Sequence, residues 1–333
     1  MTTTWSIKTA FTFTDDEQKS LAHSFESISA NPYRQYEAFR FQIGRLITDD
    51  LIPQRFMDFI SDLPRWDRDA DPVFVVDNIP VDDVPLLDFS DPVNDKRARK
   101  NSFYSESFLE LFAQLAATPA ISYLNVNGGD VFQDIHPKQE LQNTQSQKAL
   151  TEIYFHKDLA NHFVRPNQVY MVGVRNDPMN KVYTSFTRNI DVLQEFTEEE
   201  IEILRSHEFA TPYDDLTVKD GSLQLGEAPR HPVLSEVTNL RYFENRTVGV
   251  TERAQALIPR INEALHSNKQ RLFVAPGQFV ATYNNHTIHA KEIIEVLSGE
   301  SLKHRWIMKT VNVDNLAPHA KHFMPGTNYL VMG

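Results

Sequence analysis

Two residues of metal-binding type stand two positions apart in Tyr154-Phe155-His156-Lys157-Asp158. On a β-strand alternate side chains share a face, so His156 and Asp158 can reach one ion while Lys157 points away. One more histidine from a distant strand would complete a facial triad, which leaves three coordination positions open: two for a chelating keto acid and one for dioxygen. His289, in Tyr283-Asn284-Asn285-His286-Thr287-Ile288-His289-Ala290, is the candidate, with His286 and His304 as competitors. Arg305 follows in His304-Arg305-Trp306-Ile307-Met308-Lys309, where its planar fork suits a carboxylate.

Composition narrows the chemistry. The chain contains no cysteine, which rules out disulfides, thiolate catalysis, Cys-based zinc sites and iron–sulfur clusters. Any metal must be held by histidine and carboxylate, a set that suits iron, manganese or zinc. A formal net charge of -12 repels phosphate backbones, so nucleic acid is not an expected partner. The N-terminus lacks a basic start followed by an apolar core, and no stretch approaches the roughly 20 apolar residues of a membrane span. The expectation is a cytoplasmic enzyme without membrane association.

The elements that position these residues can be read coarsely. With 333 residues, no internal repeat and no Gly/Ser linker, the chain reads as one domain. Residues 1–120 are mostly helical support. Helical character runs over 15–62, opened by a capped start at Thr14-Asp15-Asp16-Glu17, and returns over Ser105–Ala117. The Asp- and Pro-rich stretch 70–98 reads as extended segments and loops. Residues 121–313 form a β core of short runs: Ile121–Val126, Ala149–Phe155, Gln168–Val174, Val182–Phe186, Arg271–Val274, Phe279–Tyr283 and Arg305–Val313. Two helices interrupt it, Thr197–Ser206 and Thr251–Ser267, the second with a kink or break at Pro259. Residues 314–333 are a C-terminal extension. The class is mainly β with helices, a barrel or sandwich braced by an N-terminal helical region. That region is a candidate homodimer contact.

From about Gly128 to Val313 the order of motifs resembles the clavaminate synthase-like group of the taurine dioxygenase superfamily of Fe(II)/2-oxoglutarate oxygenases. The resemblance is strongest to hydroxylases of free arginine, asparagine, lysine or citrulline in natural-product pathways. It rests on Gly129 through Pro137 before the metal motif, Gln142-Asn143-Thr144-Gln145-Ser146, Arg165 through Val169, Val174 through Pro178, and the segments around His289 and Arg305. It implies a double-stranded β-helix (jelly roll) and hydroxylation of an unactivated C–H bond, with dioxygen and 2-oxoglutarate giving succinate and carbon dioxide. It further implies His156, Asp158 and His289 as the iron ligands and Arg305 and Thr184 as 2-oxoglutarate contacts. Gln133 and Ser146 would face the amino-acid head group. Glu244 would be an acidic substrate contact, Asp214 or Asp215 would belong to a lid, and Lys309 would be a further substrate contact.

Three departures stand out. The group often has His-X-Glu where this chain has Asp158. The usual Arg-Trp-X-X-Arg ends in Lys309, which loses a bidentate contact. Ala290 replaces the usual glycine after the distal histidine. Acidic residues near the lid and overall likeness place lysine first among substrates, with arginine, citrulline or asparagine, or a desaturation, as alternatives. A halogenase would need chloride where Asp158 stands. A zinc hydrolase would leave Arg305 without a purpose. A metal-free jelly-roll binding protein would have a damaged triad.

Overall fold

The computed structural model describes residues 5–212 and 228–332. Two sheets dominate it. Their strands are β1 (Lys8–Thr12), β2 (Val73–Asp77), β3 (Ala120–Tyr123), β4 (Gln133–Ile135), β5 (Ile153–His156), β6 (Gln168–Arg175), β7 (Lys181–Arg188), β8 (Gln270–Leu272), β9 (Phe279–Tyr283), β10 (Thr287–Glu295), β11 (Trp306–Asn312) and β12 (Leu330–Val331). The eight-stranded major sheet runs β1-β2-β9-β6-β11-β3-β12, with β4 also paired to β11. The four-stranded minor sheet runs β8-β7-β10-β5.

Strand periodicity decides what each face of the major sheet touches. One set of alternating residues, Phe74, Val76, Tyr170, Val172, Val174, Phe279, Ala281, Tyr283, Trp306 and Met308, packs into the core shared with the N-terminal helices. The intervening residues Val73, Val75, Val169, Met171, Val280, Ile307 and Val311 join Phe186 of the minor sheet in a second core between the sheets. On the minor sheet, Phe155, Ile288 and Ala290 pack outward against the helix Glu252–Ser267. Both sheets are therefore covered outside and share an interior, which is the jelly-roll arrangement.

The helical brace is α1 (Asp15–Glu26), α2 (Tyr36–Thr48), α3 (Gln54–Asp62), α4 (Pro92–Arg99) and α5 (Tyr104–Leu115). Thr14 and Glu17 close a reciprocal capping box on α1. Two strands, β1 and β2, also come from the first 120 residues and extend the major sheet. Helix α4 lies in the stretch read as extended segments and loops; its signal is Pro92 at the first helical turn, where a missing N–H costs nothing. The helix Glu252–Ser267 runs unbroken through Pro259, with Leu257, Ile258 and Ile261 keeping its buried face seated. Among the described residues no helix is long and apolar enough to cross a membrane.

Candidate metal centre

The polar residues of the interior follow from the same alternation. Arg305 and Lys309 share parity with the inward-facing Ile307 and Val311. His289 and Lys291 lie between and beyond the outward-facing Ile288 and Ala290, and Thr184 shares parity with inward-facing Phe186. Gln133 stands directly across from Lys309 in the β4–β11 pairing. Thr184 stands directly across from Lys291 in the β7–β10 pairing.

His156 closes β5, and Asp158 sits just past its end. His289 on β10 is the cross-strand partner of His156. The ligand atoms of His156, Asp158 and His289 lie within 4.8 Å of one another. Asp158 Oδ1 is 3.6 Å from His156 Nε2 and 3.9 Å from His289 Nε2. His156 Nδ1 donates to the Tyr154 carbonyl at 2.8 Å, because a carbonyl can only accept. That bond leaves Nε2 with its lone pair turned toward the cluster. Burial, then the neighbouring His156, lower the pKa of His289 to about 3, so its ring is neutral. Burial pushes the Asp158 carboxyl up, but the Lys309 ammonium beside it outweighs that and holds Asp158 well below the usual carboxylate range. Two imidazoles and one carboxylate form a donor set that fits a divalent first-row ion.

Several side chains fix this geometry. Asn284 accepts from the Asp158 N–H at 3.2 Å and donates to the Asp158 and Pro166 carbonyls at 3.3 and 2.9 Å. Leu159 turns the chain with φ 54, a left-handed conformation uncommon for leucine, immediately after Asp158. Lys157 points away, as alternation requires, and donates to the side chains of Asn239 and Asn285. Phe243 stacks on the His156 ring with centroids 5.1 Å apart.

Around the triad lie cations without anions. Arg305 is 4% exposed, and its Nε meets no acceptor among the described residues. Burial alone lowers its pKa to about 10. Lys291 is also buried, and its ammonium reaches only the Ala149 carbonyl at 2.6 Å. Burial, followed by the charge of Arg305, lowers its pKa to about 7. Gln133 is buried with its amide Nε2 unpartnered. A buried cation without a counter-charge is costly, so this end of the interior suits an anionic ligand.

The remaining expected residues fall differently. Lys309 donates to Asp158 Oδ2 at 2.7 Å. Ser146 lies in the loop before β5, where its hydroxyl accepts from the Lys148 N–H at 3.2 Å and shapes a local turn. Glu244 is occupied on both oxygens, by the Phe155 N–H at 3.1 Å and by His266 Nε2 at 2.7 Å. Asp214 and Asp215 lie outside the described residues. Of the competing histidines, His286 pairs with Asp69 at 2.8 Å, and His304 lies 3.5 Å from Glu300. Lys291, Asn284 and Phe243 were not singled out from sequence. Lys291 stands two residues after His289, so the alternation used for His156 and Asp158 would have found it.

No family model matches the chain. The chain is similar to an L-asparagine oxygenase of Streptomyces coelicolor, with 25% identity over 280 residues covering 81% of this chain and 80% of the relative. Among solved structures it is similar to an asparagine oxygenase in complex with Fe(II), 2S,3S-3-hydroxyasparagine and succinate. The TM-score is 0.82 at 18% identity, over 97% of this chain and 99% of that one. It is also similar to the non-haem iron oxygenase OrfP in complex with Fe, succinate and (3S)-hydroxy-L-Arg, with TM-score 0.79 at 16% identity, over 96% and 99% of the two chains. The fold is that of these oxygenases.

Proposed function

We propose that this chain is an Fe(II)- and 2-oxoglutarate-dependent oxygenase that hydroxylates a free amino acid. The observation that carries the reading is the triad itself: two histidines and one carboxylate converge within 4.8 Å inside the sandwich. Two buried basic side chains without an ion-pair partner among the described residues, Arg305 and Lys291, lie in the same interior. His156, Asp158 and His289 would hold the iron. Arg305 would bind the far carboxylate of 2-oxoglutarate, with Thr184 and Lys291 on the facing strands completing that end. Bound iron supplies the activation of dioxygen. The protein's part is to hold the ligands on rigid strands and keep the site enclosed.

We place asparagine first among substrates. A lysine or arginine side chain would need a buried carboxylate to face it. Among the described residues the interior offers none: Asp158 belongs to the metal cluster, and Glu244 is taken by Phe155 and His266. An amide side chain needs only hydrogen-bonding partners. Similarity to an L-asparagine oxygenase supports the same choice.

Protein purified without oxygen would be supplied with Fe(II), 2-oxoglutarate and separate free amino acids before air is admitted. The expected result is asparagine gaining one oxygen with matching succinate, absent in His156→Ala. A product from lysine or arginine and none from asparagine would overturn the substrate choice. Absence of metal binding would overturn the oxygenase reading.

A further inference from the structure

A metal-binding carboxylate has two oxygens, and a facial triad works only if one of them stays off the metal. When both bind, one of the three open positions is lost, and a chelating keto acid and dioxygen no longer both fit. In this chain the two oxygens of Asp158 face different partners. Oδ1 lies toward His156 Nε2 and His289 Nε2, at 3.6 and 3.9 Å. Oδ2 accepts from Lys309 Nζ at 2.7 Å. Asp158 is the only hydrogen-bond partner of that ammonium among the described residues, and both side chains are buried.

Neither partner has freedom to drift. Lys309 sits inside β11 and is paired on its two sides with Met171 of β6 and Gln133 of β4. Asn284 pins the Asp158 backbone through both its N–H and its carbonyl. Rotation about the carboxylate is the motion left, and the ammonium opposes it. A charge-assisted bond of this length, away from water, is among the stronger hydrogen bonds available to a protein.

We propose that Lys309 is a positioning residue that holds Asp158 in one-oxygen ligation and so keeps three metal positions open for co-substrate and oxygen. This rests on the oxygenase reading above. The role differs from a contact to the amino-acid substrate, because it acts before any substrate is present.

The test uses the full chain loaded with Mn(II), without 2-oxoglutarate or amino acid, and reads inner-sphere water by water-proton relaxation. Wild type should bind one Mn(II) with three exchangeable positions. In Lys309→Met the carboxylate is free to chelate, so relaxation per bound Mn(II) should fall by about a third. Metal affinity should be retained or tightened, since a nearby positive charge has gone. Anaerobic calorimetry should then find 2-oxoglutarate binding weakened by about tenfold or more, since a chelating carboxylate takes one of the positions that the keto acid and dioxygen need. Lys309→Arg, which restores a charged donor, should recover most of the wild-type relaxation, and it serves as the second variant if Lys309→Met does not fold. Unchanged relaxation and unchanged 2-oxoglutarate affinity in Lys309→Met, with only amino-acid binding weakened, would overturn the proposal and make Lys309 a substrate contact. Failure of the wild-type protein to bind Mn(II) would remove the oxygenase reading itself.

Discussion

Among the described residues, the buried charges under the helical brace and those between the sheets are treated in opposite ways. Under the helical brace, Lys96 donates to Asp134 at 2.6 Å, and Lys100 contacts Glu106 at 2.7 Å and Asp82 at 3.1 Å. Asp82 also accepts from the N–H groups of Tyr104 and Ser105, which caps the start of α5 from a distant loop. Tyr33 and Tyr36 donate to Glu106 and Glu110. These ionised groups have ionised or hydrogen-bonding partners, so the network is closed. Between the sheets, Arg305 has no anion, Lys291 has only a carbonyl, and Gln133 Nε2 and His289 Nδ1 have no partner. A fold tolerates buried unsatisfied groups where a ligand completes them. Closed networks mark structure, and open ones mark the place of a ligand.

The largest expected effect tests the open side. His289→Ala and Asp158→Ala remove a ligand, so each should lower affinity for Fe(II) or Mn(II) beyond the roughly 100-fold that loss of an outer partner costs. Turnover should fall with it, as measured by titration and by succinate release. Retained metal binding in both variants would mean the open cluster is not a metal centre. Arg305→Ala comes next. Removing one partner of a buried charge pair costs about 2–5 kcal/mol, so 2-oxoglutarate binding should weaken by about thirtyfold or more. The same substitution should leave the melting temperature of the ligand-free protein unchanged or raised, because an uncompensated buried cation has gone. A large drop in that temperature would place Arg305 in a closed network.

The closed side should answer in the other direction. Lys96→Met strands Asp134, whose second oxygen accepts from the indole of Trp306 at 3.0 Å. Breaking a buried pair costs about 3–5 kcal/mol, which denaturant unfolding would read as a lower midpoint. 2-Oxoglutarate affinity measured well below the new midpoint should change far less than in Arg305→Ala. An equal change would show that Trp306 transmits the brace to Arg305 and that the two networks are one.

The sequence carried this division unevenly. His156, Asp158, His289 and Arg305 could be grouped because strand alternation and motif order are local properties. Lys291 is equally local, two residues beyond His289 on the same strand. Glu244 was not decidable, since the partner that takes its carboxylate, His266, is on a helix that sequence periodicity places only as an amphipathic element. Helix α4 hid in an Asp- and Pro-rich stretch because its stability comes from Lys96 reaching Asp134, a contact 38 residues away. What pairs with what across the sheets is set by tertiary packing, and open and closed networks look alike in a linear chain.

The smallest expected effect falls on Glu244, where the two classes meet. It lies next to Phe243, which stacks on His156, yet its carboxylate is bonded to the Phe155 N–H and to His266. As a member of a closed network it braces the strand that ends in His156 from outside. Glu244→Gln keeps a carbonyl for the Phe155 N–H and weakens the contact to His266. The expected cost is about 1 kcal/mol in stability, the scale of one hydrogen bond, with the KM for the amino acid unchanged. A residue facing a cationic substrate would behave in the opposite way, with stability preserved and KM raised by tenfold or more. Measuring both quantities on this one variant therefore decides whether the Glu244 carboxylate belongs to the frame or to the substrate.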